Sequence, residues 1–524
     1  MKLAPVLLAL SVAAPLVASG APPVLAVPDG QLGLPGGRVA PNLLLHLSLT
    51  FSDAGAAYRD EYADGVEYAG YFNPRLCYSY PSTKKDPGDS NGYFSPLKDA
   101  DADRRCNGGS FSGNLLNWAS MSRLDLLRLA LTGGDRVVDE GGLTVLQRAW
   151  LPDGSFHPDF YAHPSHFPRK AIKAAGKGTP FGSGTVYVVS CRNRILFSDA
   201  PTGGSCDKPA GKSLGEFNAR VKVCDKADSE LRPQRCARYK DGFKPEGAIQ
   251  RNATMMRMGA MGYRVEQATA DADVYGGVLR APLKPPVSEW DPVTGVLAAD
   301  PDKSGGSNSG LINYINLSGR RGAYKAADPG AELFYEGLRY LQGRAPSPES
   351  GDALVDDGLP VWSMRSDPVT ESCQRSTAAV IGHSSFVRDR YVPGNAKTDM
   401  GDTARPADAF HGSFDVMRET RRVGEMEPIA LANLDALSDG PGGAGSFYIA
   451  GAAYWAHTNA IRADSEARID TLALELDAAS KANASPLYLA AKYGALVEAT
   501  PTGYFAAADP HALVPSVRDL FAAA

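Results

Sequence analysis

What the sequence lacks removes several classes of function. Its seven cysteines, Cys77, Cys106, Cys191, Cys206, Cys224, Cys236 and Cys373, never form a CxxC, so zinc-ribbon and thioredoxin-like chemistry are unsupported. No G-x-S-x-G elbow and no H-E-x-x-H occurs, which leaves out the nucleophile elbow and the zincin helix. "PAGKS" at 209–213 resembles the end of a phosphate-binding loop, but the first glycine of that motif falls on Cys206, so an ordinary loop is expected. A large charge of one sign is missing too. The net charge is −5 over 524 residues, and nothing in it calls for nucleic acid or an acidic surface. Beyond the N-terminus no apolar run approaches the length of a membrane span.

What is present is a globular composition, 44% hydrophobic and 22% charged, in a chain too long for one ordinary domain. The 55 glycines and 38 prolines favour long ordered loops and insertions over a helical bundle. The N-terminus sets the compartment. Lys2, an apolar run from Leu3 to Val17 and small residues after it read as a secretory signal peptide, residues 1–21, with cleavage after Ala21 or Ala26 equally suitable. A retained N-terminal anchor is the alternative. Cysteine usage agrees with export. Six of the cysteines fall in close pairs, 77 with 106, 191 with 206 and 224 with 236. In an oxidising compartment each such staple is worth roughly 3 kcal/mol. Proximity alone leaves other connectivities open, and Cys373 is left over.

An extended Pro/Gly-rich lead (22–40) precedes an apolar strand, Leu43 to Leu49. Residues 56–110 read as a looped excursion. "SGNLLNWASMSRLDLLRLALTGG" predicts one long helix with Ser112 as N-cap and Gly133 and Gly134 as the stop, apolar on several sides. Short strands are expected at 185–189, 220–224 and 274–280. "DPGAELFYEGLRYLQG" predicts a helix with Asp328 as N-cap and Gly343 as stop. "STAAVIG" (376–382) has the wholly apolar character of a central parallel strand. A helix at 446–461, a strand at 471–476, a helix near 486–493 and a last helix to the C-terminus follow. Strands alternating with helices at both ends indicate a doubly wound, Rossmann-like α/β sheet, with a disulfide-bearing, strand-rich middle inserted into it.

Three places invite chemistry. His157, His163 and His166 lie close together beside Asp159 at a spacing that could bind zinc, the basis for a secreted metal-dependent hydrolase; their Pro-rich loop favours surface histidines instead. "DADAD" (99–103) and "DPDKSGG" (300–306) raise calcium; both lack the distal glutamate of an EF-type loop, and a solvated turn is expected, with calcium the alternative at Asp300, Asp302 and Ser304. Finally, the strand at 43–49 runs into hydroxyls at alternate positions, Ser48, Thr50 and Ser52, with no carboxylate before Asp53.

"YFNPRLCYSY" (71–80), "FSGNLLNWASMSRLDLLRLALTGG" (111–134), "KPEGAIQ" (244–250), "DPGAELFYEGLRYLQG" and "SFYIAGAAYWAHTN" (446–459), in this order, resemble the N-terminal half of PilY/PilC-type proteins, the tip-associated adhesins and biogenesis factors of bacterial type IV pili. The resemblance implies a von Willebrand factor A-like domain over 41–524, with insertions at about 56–110 and 143–310. It implies work in the periplasm, on the outer surface or at the pilus tip of a Gram-negative bacterium, through contacts with minor pilins, the pilus machinery and a host or abiotic surface, without catalysis. A β-propeller with a calcium loop normally follows such a domain; this sequence ends near the domain's last helix, so the propeller's functions are not carried over, and a truncated, non-functional paralogue is an alternative. The resemblance also places a magnesium-binding Asp-x-Ser-x-Ser on Ser48, Thr50 and Ser52 and a second metal-site acid on His383, and puts Arg388 where the family has a cysteine, which would account for the unpaired Cys373. The hydroxyls remain and both acids are gone. Magnesium is usually held by one or two carboxylates, so the magnesium site is expected to be lost and no cofactor is implied.

Overall fold

The computed structural model describes residues 39–524 except 82–91, 153–165, 183, 202–210, 266–274, 305–307, 320–321, 352–356, 363–365, 400–402, 411–412, 428–436, 441–442, 477–484 and 496–500. The signal peptide, most of the extended lead, and Pro209 and Ala210 of "PAGKS" lie outside the described residues.

Its centre is a six-stranded sheet built from β1 (Asn42–Leu47), β2 (Arg257–Gly262), β3 (Val278–Lys284), β4 (Ser376–Gly382), β5 (Ile469–Leu476) and β6 (Tyr504–Ala507), in the spatial order β3-β2-β1-β4-β5-β6. All neighbours are parallel except β2 and β3. The apolar runs are explained by cover on both faces. Leu43, Leu45 and Leu47 of β1, with Ala379 and Ile381 of β4, enter one core, which also takes α2 (Arg123–Thr132), α3 (Leu311–Leu317) and α8 (Pro510–Ala523). Leu44, Ala378 and Val380 face the opposite core, formed with α4 (Gly330–Leu341), α5 (Val416–Met426), α6 (Tyr448–Thr458) and α7 (Pro486–Tyr493). Period-two alternation thus serves two apolar layers at once. His46 sits in the second core, fully buried and 5.3 Å from the ring of Phe334. Burial pushes its pKa down to about 3, so it is a neutral packing residue. Gly337 of α4 makes room for it, because a Cβ there would lie 1.8 Å from Nε2.

Three expectations are corrected. The helix at 112–134 is two helices, α1 (Gly113–Ser120) and α2, broken at Met121. Ser122 accepts from the Asp125 N–H while Asp125 reaches back to the Ser122 N–H; this capping box starts a new helix inside the apolar run. The glycine stop is as expected, since Gly133 is left-handed at φ 83°. The insertion predicted at 143–310 extends too far: β2 and β3 belong to the main sheet, β2 pairing with β1 from Asn42↔Arg257 to Leu47↔Gly262. "RMGAMG" is too rich in Gly and Met to announce a central strand, and its place is settled by contact with β1. Asp328 does not cap its helix; Pro329 is the N-cap residue, and the Asp328 carboxylate turns elsewhere.

The inserted segments are strand-rich. Leu76–Ser79 is flanked by Ser95–Asp99 and Phe111–Ser112, Leu143–Gln147 by Arg136–Glu140 and Arg220–Val223, and a four-stranded antiparallel sheet runs from Lys170–Ile172 through Val186–Cys191 and Arg194–Ser198 to Ser213–Asn218. Disulfides join Cys77 to Cys106 and Cys224 to Cys236. Cys191 is also disulfide-bonded, Cys206 lies outside the described residues, and Cys373 is free and exposed. Among the described residues no helix is long and apolar enough to cross a membrane.

Candidate functional site

From β1 the chain goes to β2 on one side and only later to β4 on the other. The crevice beyond the carboxyl ends of β1 and β4 is therefore a topological switch point, where open α/β sheets place ligands. Three segments meet there: residues 48–54 after β1, the approach to α4 at 325–329, and the loop after β4 from His383. They are zipped together by backbone. Phe51 N donates to Lys325 O at 3.1 Å, and Asp328 and Val387 exchange hydrogen bonds at 3.2 and 3.0 Å.

The structure brings Ser48, Thr50, Ser52 and His383 to this one place, and it adds two carboxylates. Ser48 Oγ donates to Asp328 Oδ1 at 2.5 Å; Tyr263 OH, just past β2, donates to the same oxygen at 2.5 Å and lies 3.2 Å from Ser48 Oγ. Thr50 Oγ1 and Ser52 Oγ bond each other at 2.7 Å. Asp53 Oδ2 accepts from Thr50 N at 2.7 Å, closing a single 3-10 turn at Phe51–Ala54. Its other oxygen meets His383 Nε2 at 2.8 Å. Arg123 Nη2 donates to Ser52 O at 2.9 Å. The hydroxyls remain, as expected, but charge is present as well: Asp53 on the loop pairs with His383, and the buried Asp328 is set against Ser48 from the approach to α4.

The electrostatics follow from burial opposed by partners. Burial pushes the Asp53 carboxyl up, but His383, the Thr50 N–H and Arg123 outweigh it and hold it below 3.8. Burial pushes His383 down, and the Asp53 carboxylate overrides it, so the imidazole titrates above 6.5. Asp328 has only neutral donors in contact, and burial lifts it to about 7. Asp389, a few residues beyond His383, is fully buried; Ser446 Oγ donates to one oxygen at 2.9 Å and the other has no donor among the described residues. Burial holds it well above the usual carboxylate range.

A pH prediction follows for the Asp53–His383 pair. Its stabilisation is complete between 3.8 and 6.5. It is lost as pH falls through the lowered Asp53 pKa and as pH rises through the raised His383 pKa. His383→Ala leaves a buried carboxylate unpaired and should cost about 3–5 kcal/mol at pH 6. Denaturant unfolding at several pH values should show the variant losing the decline above pH 6.5; a decline unchanged by the substitution would assign it to another group.

The other candidates are dispersed. Asp300 Oδ1 accepts from Ser304 N at 3.0 Å, Ser304 Oγ at 2.9 Å and Ser309 Oγ, the pattern of a self-contained turn. Asp302 pairs with Lys284, whose ammonium also lies 3.1 Å from buried Glu289. A calcium ion at these residues would have to displace that lysine. In "DADAD", Asp101 caps a turn through the N–H groups of Asp103 and Arg105. His166 presents its carbonyl to Ala56 N and its ring to Phe51; His157, Asp159 and His163 lie outside the described residues. Asp328 and Tyr263 were missed from sequence because their partner, Ser48, is hundreds of residues away. Asp53 carried a local signal, since Thr50 to Asp53 has capping-box spacing.

The comparisons with known proteins agree among themselves. Residues 59–189 match the family model described as "PilY1 homolog, small alpha/beta domain". A "Type IV pilus biogenesis factor PilY1 homolog" of Xylella fastidiosa (strain Temecula1) is 30% identical over 549 aligned residues, covering 90% of this chain and 43% of that protein. A second protein of that description from the same strain is 25% identical over 437 residues, 70% of this chain and 28% of its own length. The chain thus spans less than half the length of these curated relatives. No solved structure matches it.

Proposed function

We propose, from the premise that this is a PilY1-type protein, that the chain is exported and works with type IV pili in pilus biogenesis and surface adhesion, by protein–protein contact and without catalysis. The observation that carries this is similarity to pilus biogenesis factors spread over 90% of the chain. Paired cysteines are consistent with an oxidising compartment outside the cytoplasm.

The six-stranded sheet, helices on both faces and the hydroxyl loop after β1 support reading residues 41–524 as a von Willebrand factor A-like domain with insertions. In this reading the crevice is a former metal site that no longer needs its ion. The residues present do not fit magnesium: His383 stands on Asp53, Ser48 is engaged by Asp328, and Thr50 and Ser52 bond each other. Side-chain pairs hold the loops together where a cation would, and contact through this face is independent of divalent ions.

Deletion of the gene should abolish surface pili, and an affinity-tagged chain should co-purify with sheared pili or minor pilins, with recovery unchanged by EDTA. Normal piliation together with no pilin recovery would overturn the proposal. Loss of recovery in EDTA would overturn only its metal-free part.

A further inference from the structure

At the end of the sheet away from the crevice, one lysine stands between two carboxylates. Lys284 is the last residue of β3, an edge strand, opposite Met258 of β2. A single 3-10 turn, Pro286–Glu289, follows at once and brings Glu289 back to it, with Oε1 3.1 Å from the Lys284 ammonium. The ammonium also contacts Asp302 Oδ1 and donates to Ser288 Oγ at 3.1 Å. Water has little access here. The side chain of Glu289 is fully buried, that of Asp302 is 2% exposed and that of Lys284 is 21% exposed.

The two acids are held differently. Leu311 N donates to one oxygen of Glu289 and Ile312 N to the other, each at 3.1 Å, so this carboxylate is fixed in place. Asp302 Oδ1 accepts no hydrogen bond of normal geometry among the described residues, and the lysine ammonium stands against it. Burial pushes Glu289 above the ordinary 4.5, against the Lys284 charge and the two N–H groups, which suits it to exchanging protons near neutral pH. An ion pair cut off from water is costly. Moving one proton from ammonium to carboxylate turns it into an amine, a nucleophile, beside a carboxylic acid.

We propose that Lys284 and Asp302 condense to an amide that cross-links the end of β3 to the turn at 300–304, with Glu289 as the proton carrier. The Lys284 ammonium first gives one proton to the Asp302 carboxylate. The neutral Nζ then attacks Cγ, and the Glu289 carboxylate takes a second proton from Nζ. Glu289 returns that proton to the hydroxyl on Cγ, the C–O bond breaks and water leaves. One Nζ–Cγ bond has formed, Glu289 is regenerated, and no oxidant or reductant is needed. Contact between the reacting groups is supplied by the fold, so the step is intramolecular. The product removes two charges from a dry site. It also closes the segment after β3 into a covalent loop, which restricts the unfolded chain as a disulfide does but does not yield to reduction.

Trypsin makes the bond easy to read. It does not cut after Lys284, because Pro285 follows, so Ala281–Lys303 is released from the purified chain as one peptide carrying all three residues. The wild-type peptide should be lighter than its sequence by one water. Tandem mass spectrometry should give no fragments from cuts between Pro285 and Pro301, since the bond holds both sides together. Asp302→Asn should lose one ammonia in place of water, and Asp302→Ala should keep its full mass. Glu289→Gln should slow bond formation by about a hundredfold or more and leave most of the chain at full mass. A wild-type peptide of full mass overturns the proposal, whether or not any variant folds. A peptide short of one water that still fragments between Pro285 and Pro301 also overturns it, because an internal imide at Asp302 gives that pattern. Complete cross-linking in Glu289→Gln overturns the role of Glu289.

Discussion

Replacing Lys170 with Met should make the protein more stable at pH 7 and below, on the order of 4 kcal/mol at most, with a gain that shrinks steadily as pH rises toward 10.5. Lys170 opens the strand Lys170–Ile172 inside the segment that matches the PilY1 family model, and it is 5% exposed. Its ammonium donates to Trp118 O at 2.5 Å and lies 4.8 Å from the Trp118 ring and 5.5 Å from that of Phe167. No carboxylate pairs with it among the described residues. Burial, with repulsion from Arg59, pushes its pKa down to about 7 from 10.5.

The sign follows from proton counting. Between pH 7 and 10.5 the unfolded chain holds the lysine proton and the folded chain does not, so wild-type stability rises with pH through that window. Below pH 7 both states are charged and the full penalty of burying the ammonium remains. Met keeps the length of the stem and carries no charge. The attraction of the ammonium to the Trp118 and Phe167 rings disappears in the variant, which offsets part of the gain. Urea unfolding of both proteins at pH 6, 8 and 10 decides it. A constant difference across the three would show that the substitution acts through packing and that Lys170 does not titrate in the window.

The second large effect is a gain of function at the switch-point crevice. Ser48→Asp together with His383→Asp should create divalent-cation binding, with none expected of the wild-type chain in the same measurement. His383→Asp puts a carboxylate where an imidazole now stands 2.8 Å from Asp53, and Ser48→Asp puts one beside Asp328. Four acids then face one another with only Arg123 nearby as counter-charge. The metal-free variant should be markedly destabilised, since buried like charges repel at short range. Magnesium or manganese at about a hundredfold its Kd should return roughly 2.7 kcal/mol through binding to the folded state alone. Calorimetry and thermal unfolding with and without the ion give the answer. No heat of binding and no ion-dependent rise in Tm would show that the hydroxyl loop is not a former metal site.

Much of the architecture was legible because its signals are local. Each apolar run that became a parallel strand, such as "STAAVIG" for β4, is short and lacks polar interruption, which only a strand covered on both faces sustains. Gly133 marked its helix end because a left-handed residue is needed there. The break after α1 was also written in the sequence, as Ser122 and Asp125, but the apolar run across it was the louder signal. β2 was missed because Gly and Met carry little strand preference of their own, and pairing with β1 supplies what propensity does not.

The sequence by itself determined that the chain is an α/β protein with hydroxyls following its first strand; that an acid is missing from two metal positions is what its family resemblance implies. The strands and the hydroxyls are properties of residue type and spacing. Only the tertiary structure decided which side chains meet at the end of that strand. Asp53 is near in sequence, but its partner His383 is 330 residues away, and Asp328 reaches Ser48 across 280. Nothing local specifies such pairs. They exist because β1, β2 and β4 end side by side, and a charge buried there is stable only with a partner that the fold itself delivers.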